Sequence, residues 1–184
     1  AVYTDLLNIK SRTHYFGEKG EELADYSQNL KYDGATLTVK DTTIYTYDVD
    51  VLDYTTTYKG GTVDSKDVDG LAKKSMTNFV GNVKGEEITD YTLNYKGDAG
   101  SEVVNTTTVY FYETEKRASD ALVDPDSAMT ESATYRGDKS SATYATLADI
   151  RSRTHYFGDK GSQPAVFPVK LRYREANLTV KDTT

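Results

Sequence analysis

Residues 1–43 recur at residues 142–184 at a constant offset of 141, with no insertion or deletion and with 24 of 43 positions identical. Ile9-Lys-Ser-Arg-Thr-His-Tyr-Phe-Gly17 returns as Ile150-Arg-Ser-Arg-Thr-His-Tyr-Phe-Gly158, and Leu37-Thr-Val-Lys-Asp-Thr-Thr43 as Leu178-Thr-Val-Lys-Asp-Thr-Thr184. A gapless copy implies a shared backbone, which is the mark of stacked or polymerised modules rather than of a catalytic domain. The chain divides into a unit of residues 1–141 and a partial copy, 142–184, with no linker between them.

The copy diverges most at one place. Glu21-Glu-Leu-Ala-Asp-Tyr-Ser-Gln-Asn29 becomes Ser162-Gln-Pro-Ala-Val-Phe-Pro-Val-Lys170, losing three acids and gaining two prolines, two valines and a phenylalanine. Apolar gain with proline, which limits strand pairing, points to a different neighbour for this stretch. Val166, Phe167 and Val169, with Leu171, Tyr173, Leu178 and Val180 on the strands that follow, are the expected assembly contacts.

Local patterning is that of β-strands. Tyrosine occurs 16 times and threonine 26 times in 184 residues, and β-branched and aromatic side chains suit a pleated, half-buried surface. A segment ending Tyr-x-Gly recurs at Tyr15-Phe-Gly17, Tyr58-Lys-Gly60, Tyr95-Lys-Gly97, Tyr135-Arg-Gly137 and Tyr156-Phe-Gly158. Each reads as a strand entering a tight turn, since alternate residues share a strand face and the glycine admits positive φ. In Ile44–Tyr54 the alternation puts Tyr45, Tyr47, Val49 and Val51 on one side. Residues 102–112 carry apolar side chains on both sides, which predicts a central strand. Two short helices are expected, over Asp67–Val80 from Val68, Leu71, Ala72 and Met76, and over Glu113–Val123, stopped by Asp124-Pro-Asp126. Strands at intervals near ten residues predict an all-β fold, an antiparallel β-sandwich of the immunoglobulin-like or a related kind.

Composition narrows the function classes. A net charge of −7 and a pI near 4.9 argue against nucleic acid, whose binding draws on clustered Lys and Arg. No apolar run approaches the roughly 20 residues of a membrane-spanning helix, so membrane insertion is not expected. Zero cysteines exclude disulfides, thiol nucleophiles and thiolate metal sites. With the acidic surface they point to an extracellular or cell-surface protein of prokaryotic origin. The start at Ala1 is consistent with a processed product or an excerpt of a longer array.

Candidate sites are few. His14 and His155 occupy matching places, but neither unit holds a second His or any Cys, so no metal or triad constellation forms around them. Asp64, Asp67 and Asp69 form a candidate partial calcium loop, short of the full EF-hand spacing because no Glu stands at its last position. Asn105-Thr-Thr107 and Asn177-Leu-Thr179 are candidate N-glycosylation sites. No pair of carboxylates stands out for glycosidase chemistry, and no enzymatic activity or cofactor other than calcium is expected.

The Tyr-x-Gly turns, the phrase Lys31-Tyr-Asp-Gly-Ala-Thr-Leu-Thr-Val39 and the segment Asn78-Phe-Val-Gly-Asn-Val-Lys-Gly-Glu86 resemble the tandem β-rich repeats of large bacterial surface adhesins and extracellular fibres. The resemblance implies an extracellular stalk or fibre without enzymatic activity. The expected function is a structural one: a unit of a surface filament or array, self-assembled by β-strand pairing between successive units. The alternative is an adhesin stalk or glycan-binding module whose Tyr-rich strands meet the sugar.

Overall fold

The computed structural model describes residues 9–158 in full, together with the backbone of residues 165–174 and 177–183. Eleven strands follow one another: β1 (Ser11–Phe16), β2 (Leu23–Asp33), β3 (Thr36–Asp48), β4 (Val51–Lys59), β5 (Lys73–Val80), β6 (Ile88–Lys96), β7 (Val103–Tyr112), β8 (Met129–Arg136), β9 (Ile150–Tyr156), β10 (Ala165–Arg174) and β11 (Asn177–Thr183). They form one open antiparallel sheet whose spatial order is the chain order. The all-β expectation holds in this form, with a single sheet where a sandwich was expected. A sandwich needs the chain to pass between two sheets, and here each strand pairs with the strand before it and the strand after it.

No helix occurs among the described residues, and both expected helices are corrected. The apolar positions Val68, Leu71 and Ala72 lie in a turn-rich connection, and Lys73–Val80 is β5. There Met76 and Asn78 pair across one face while Ser75 and Thr77 take the other, a period of two that outweighs the helix-like spacing. Glu113–Val123 is a run of turns, because Glu113 and Glu115 have φ of 48° and 66°, which no right-handed helix accepts.

One face of the sheet is covered by connections rather than by a second sheet. Val109 and Phe111 on β7, Ala133 and Tyr135 on β8, Ile150 on β9 and Ala142 from the β8–β9 connection form the apolar core, with Tyr91 and Tyr144 packed against it. At the other end the β4–β5 connection lies over β2 and β3. There Gln28, 1% exposed, donates to the carbonyls of Thr62 (2.9 Å) and Ser65 (3.0 Å) and accepts from the Asp64 amide at 3.0 Å. A buried amide so completely paired costs little and pins the connection to the strand.

The opposite face is a lattice of small hydroxyls. Thr55, Thr77, Thr92, Thr108, Thr134 and Ser152 stand opposite one another across β4 to β9. Hydroxyl contacts join Thr43 to Thr57 (2.8 Å), Thr77 to Thr92 (3.0 Å) and Thr108 to Thr134 (3.1 Å). Cross-strand threonine pairs of this kind stabilise a sheet face without an apolar cover.

The 141-residue unit is itself built of two four-strand modules. Ser11-Arg-Thr-His-Tyr-Phe-Gly17, Ser75-Met-Thr-Asn-Phe-Val-Gly81 and Ser152-Arg-Thr-His-Tyr-Phe-Gly158 place β1, β5 and β9 in equivalent positions. The hydrogen bonds repeat accordingly. Tyr47 donates to the Ala24 carbonyl at 2.9 Å, and Tyr112 to that of Thr89 at 2.6 Å. The Lys59 amide donates to Ala72 and the Arg136 amide to Asp149, both at 2.8 Å. The Gly20 and Gly85 amides donate to Glu22 and Glu87 at 2.9 and 3.0 Å. β9 therefore opens a third module.

Candidate assembly interface

The junction between the unit and its partial copy is the pairing of β8 with β9. Glu131 faces His155, Ser132 faces Thr154, Ala133 faces Arg153 and Thr134 faces Ser152. Main-chain hydrogen bonds thus carry the sheet across the boundary at residue 141 without a break.

A charged cluster fixes the register. The Glu131 side chain is 3% exposed, with Arg153 Nη1 at 3.2 Å from Oε1 and His155 Nδ1 at 3.1 Å from Oε2. Tyr144 donates its hydroxyl to Glu131 Oε2 at 3.2 Å. Arg153 in turn donates to the Tyr144 carbonyl at 2.6 Å and lies 4.4 Å above that ring, a cation–π contact. Burial pushes the Glu131 carboxyl upward, and the charges of Arg153 and His155 pull it back. Arg and His two apart on β9 reach one carboxylate on β8 because alternate residues share a strand face. A buried charge is tolerated when opposite charges face it, although Glu131 Oε1 and Arg153 Nε make no hydrogen bond among the described residues.

Arg12 and His14 are the matching residues on β1, and β1 is the first strand of the sheet. Here Arg12 bonds the carboxylate of Asp64 from the β4–β5 connection, which holds Asp64 below the usual carboxylate range. His14 stacks on Tyr26, centroids 4.3 Å apart and planes within 8°. Its Nε2 is buried without a hydrogen-bond partner among the described residues, the Asp64 oxygen standing 3.4 Å away.

A second ion pair ties the long β7–β8 connection to the sheet. Arg117 meets Asp90 through Nε at 2.7 Å and Nη2 at 2.6 Å, and its Nη1 reaches the Ala142 carbonyl at 2.7 Å. That bidentate geometry is the strong form of a charged hydrogen bond. It braces the residue-142 segment that covers the β8–β9 junction.

Comparison with protein-family models, with curated proteins and with solved structures finds no match. The junction must speak for itself.

The sequence-derived contacts fall on β10 and β11. Phe167 pairs with His155 and Val169 with Arg153 on β9, while Leu171 pairs with Val180 and Tyr173 with Leu178. Val166 belongs to β10, and the side chains of all these residues, with that of Asn177, lie outside the described residues. Asn105 is half-buried on β7, its carbonyl accepting from the Gly137 amide at 3.0 Å. Asp64 is taken by Arg12, and Asp67 accepts from the Asp69 amide at 3.0 Å. Among the described residues no three metal-ligating side chains converge. Sequence reasoning passes over Glu131, Arg153 and Arg12, although the intact Arg-Thr-His spacing in both copies was their signal.

Proposed function

We propose that the protein is a structural element of an extracellular filament or surface array, in which successive units join by β-strand pairing and no reaction is catalysed. The observation that supports this reading most strongly is the β8–β9 pairing, in which the copy of β1 lies hydrogen-bonded to the last strand of the unit before it. The same copied segment that opens a unit therefore also serves as the next neighbour of one. Open sheets expose edges that invite such pairing, and modules that contact only their neighbours add length without a new core. The acidic surface, the lack of cysteine and the adhesin-like turns favour the outside of a prokaryotic cell.

Electron microscopy of purified chains carrying several tandem units tests this. Unbranched threads that lengthen with unit number are expected, whereas compact particles of fixed width and length would overturn it.

A second reading, a glycan-binding stalk module, is favoured by one feature. A shallow groove at the β3–β4 turn is lined by Tyr47, Asp48, Asp50, Asp53, Phe79 and Asn82, combining aromatic faces with acceptors for sugar hydroxyls. Retention of the chain on immobilised polysaccharide, abolished by Tyr47→Ala with Phe79→Ala, would support that reading.

A further inference from the structure

The outer edge of β1 has no partner strand among the described residues. Its copy β9 has one, and that partner is β8. The two edges present the same residues: Ser11, Arg12, Thr13 and His14 on β1, Ser152, Arg153, Thr154 and His155 on β9.

We propose that the β1 edge is an acceptor for a β8-type strand presented by a second unit of this kind, and that Arg12 and His14 hold the glutamate this strand carries. The proposal rests on the filament reading and names the two surfaces that meet. Transposed by the 141-residue offset, the pairing places Glu131 of the incoming strand opposite His14, Ser132 opposite Thr13, Ala133 opposite Arg12 and Thr134 opposite Ser11.

Three observations on β1 support a glutamate site there. His14 Nε2 is buried without a hydrogen bond among the described residues, 3.4 Å from the Asp64 oxygen, whereas its copy His155 meets the Glu131 carboxylate through Nδ1 at 3.1 Å. The acid now beside Arg12 is a loop residue, Asp64, with a side chain 49% exposed against 3% for Glu131. Asp64 comes from the unit's own β4–β5 connection, whereas the carboxylate at β9 comes from the adjoining strand. Asp64 thus stands in for a partner that the β9 copy already has.

Continuity supplies the affinity. β1 offers the same main-chain edge that holds β8 to β9, and strand addition to such an edge draws on backbone hydrogen bonds, with side chains setting register. The Arg–His pair sets it here, because a shift by one residue turns the glutamate to the opposite face.

The test uses the full 184-residue chain and a synthetic peptide of residues 127–137 as the incoming strand. Binding is expected, with hydrogen-exchange protection appearing at the amides of β1. A Glu131→Gln peptide should bind about tenfold more weakly, since it loses the charge-assisted contacts. Arg12→Met in the chain, which installs the residue found at the equivalent position 76, should weaken the native peptide to a similar degree. Absent binding, equal affinity of the native and Gln peptides, or protection gained at β11 instead of β1 would each overturn the proposal. Threads seen by microscopy alongside such a failure would leave the filament reading standing and remove only this pairing.

Discussion

Thr107 donates its hydroxyl to the carbonyl of Gly137 at 2.7 Å, and accepts from the Lys139 amide at 2.9 Å. In the preceding module Thr42 donates to the carbonyl of Gly60 at 2.9 Å. Both threonines are 0% exposed, so each hydroxyl replaces water for backbone groups at the start of a long connection. That connection then folds back over the sheet. Thr107→Val, nearly isosteric, should cost about 2 kcal/mol, the penalty for orphaned buried polar groups. Thr42→Val should destabilise in the same direction. Urea midpoints check both, and unchanged midpoints would mean that these bonds do not hold the connections.

Glu131 bridges the two repeats, and its loss should be felt at the boundary. Glu131→Ala leaves the Arg153 guanidinium buried, its side chain 13% exposed, without its carboxylate. A loss of about 3 kcal/mol is expected, the scale of breaking a buried pair. Native-state hydrogen exchange should show β9 to β11 opening before β1 to β7.

Gly97 turns the corner between β6 and β7 with φ of 112°, and a Cβ there would lie 2.9 Å from the Ser101 carbonyl oxygen. Gly97→Ala should cost about 2 kcal/mol, from positive-φ strain and the close approach together. Gly100→Ala, at φ of 80° with open space around it, should cost distinctly less. Thermal melts of the two variants separate steric conflict from conformational preference.

Alkali should unfold the sheet. Burial raises Tyr26, Tyr47, Tyr58, Tyr91, Tyr95, Tyr112, Tyr135 and Tyr144 above the ordinary value of 10.0. Above that value the unfolded chain releases protons that the folded chain retains. Stability is therefore intact below about pH 10 and falls as pH rises further. Tyrosinate absorbance and loss of circular dichroism should rise together, and ionisation of all 16 tyrosines near pH 10 with the sheet intact would contradict this.

Much of the fold can be read from local chemistry. The Tyr-x-Gly turns mark strand ends, because they depend on neighbours one to three residues away. The alternation in Ile44–Tyr54 misleads: Val49 has a φ of 60° and is 92% exposed, and a hairpin turn there divides the stretch between β3 and β4. What covers a strand's dry side is not set by such near neighbours. Val109 and Phe111 need an apolar cover, but the pattern alone cannot distinguish a second sheet from the β8–β9 connection that supplies Ala142. The helical spacing of Val68, Leu71 and Ala72 misleads because these residues serve a turn-rich connection, and β5 begins at Lys73. The four-strand module is masked where Met76 and Asn78 replace Arg12 and His14, and where the β7–β8 connection lengthens the second module. The glutamate clamp is masked differently: Glu131 lies 22 and 24 residues before Arg153 and His155 in the chain, and pairing alone brings them together.

Continuity of one sheet from unit to unit is tested most directly by small-angle scattering. Chains with one, two and three copies of residues 1–141, each closed by residues 142–184, would be compared. Each unit adds eight strands, β1 to β8, so the maximum dimension should grow by about 38 Å per unit at a strand spacing of roughly 4.8 Å. Growth that instead follows the cube root of mass would show units collapsing on one another, and would contradict a sheet that runs unbroken through Glu131 and Arg153.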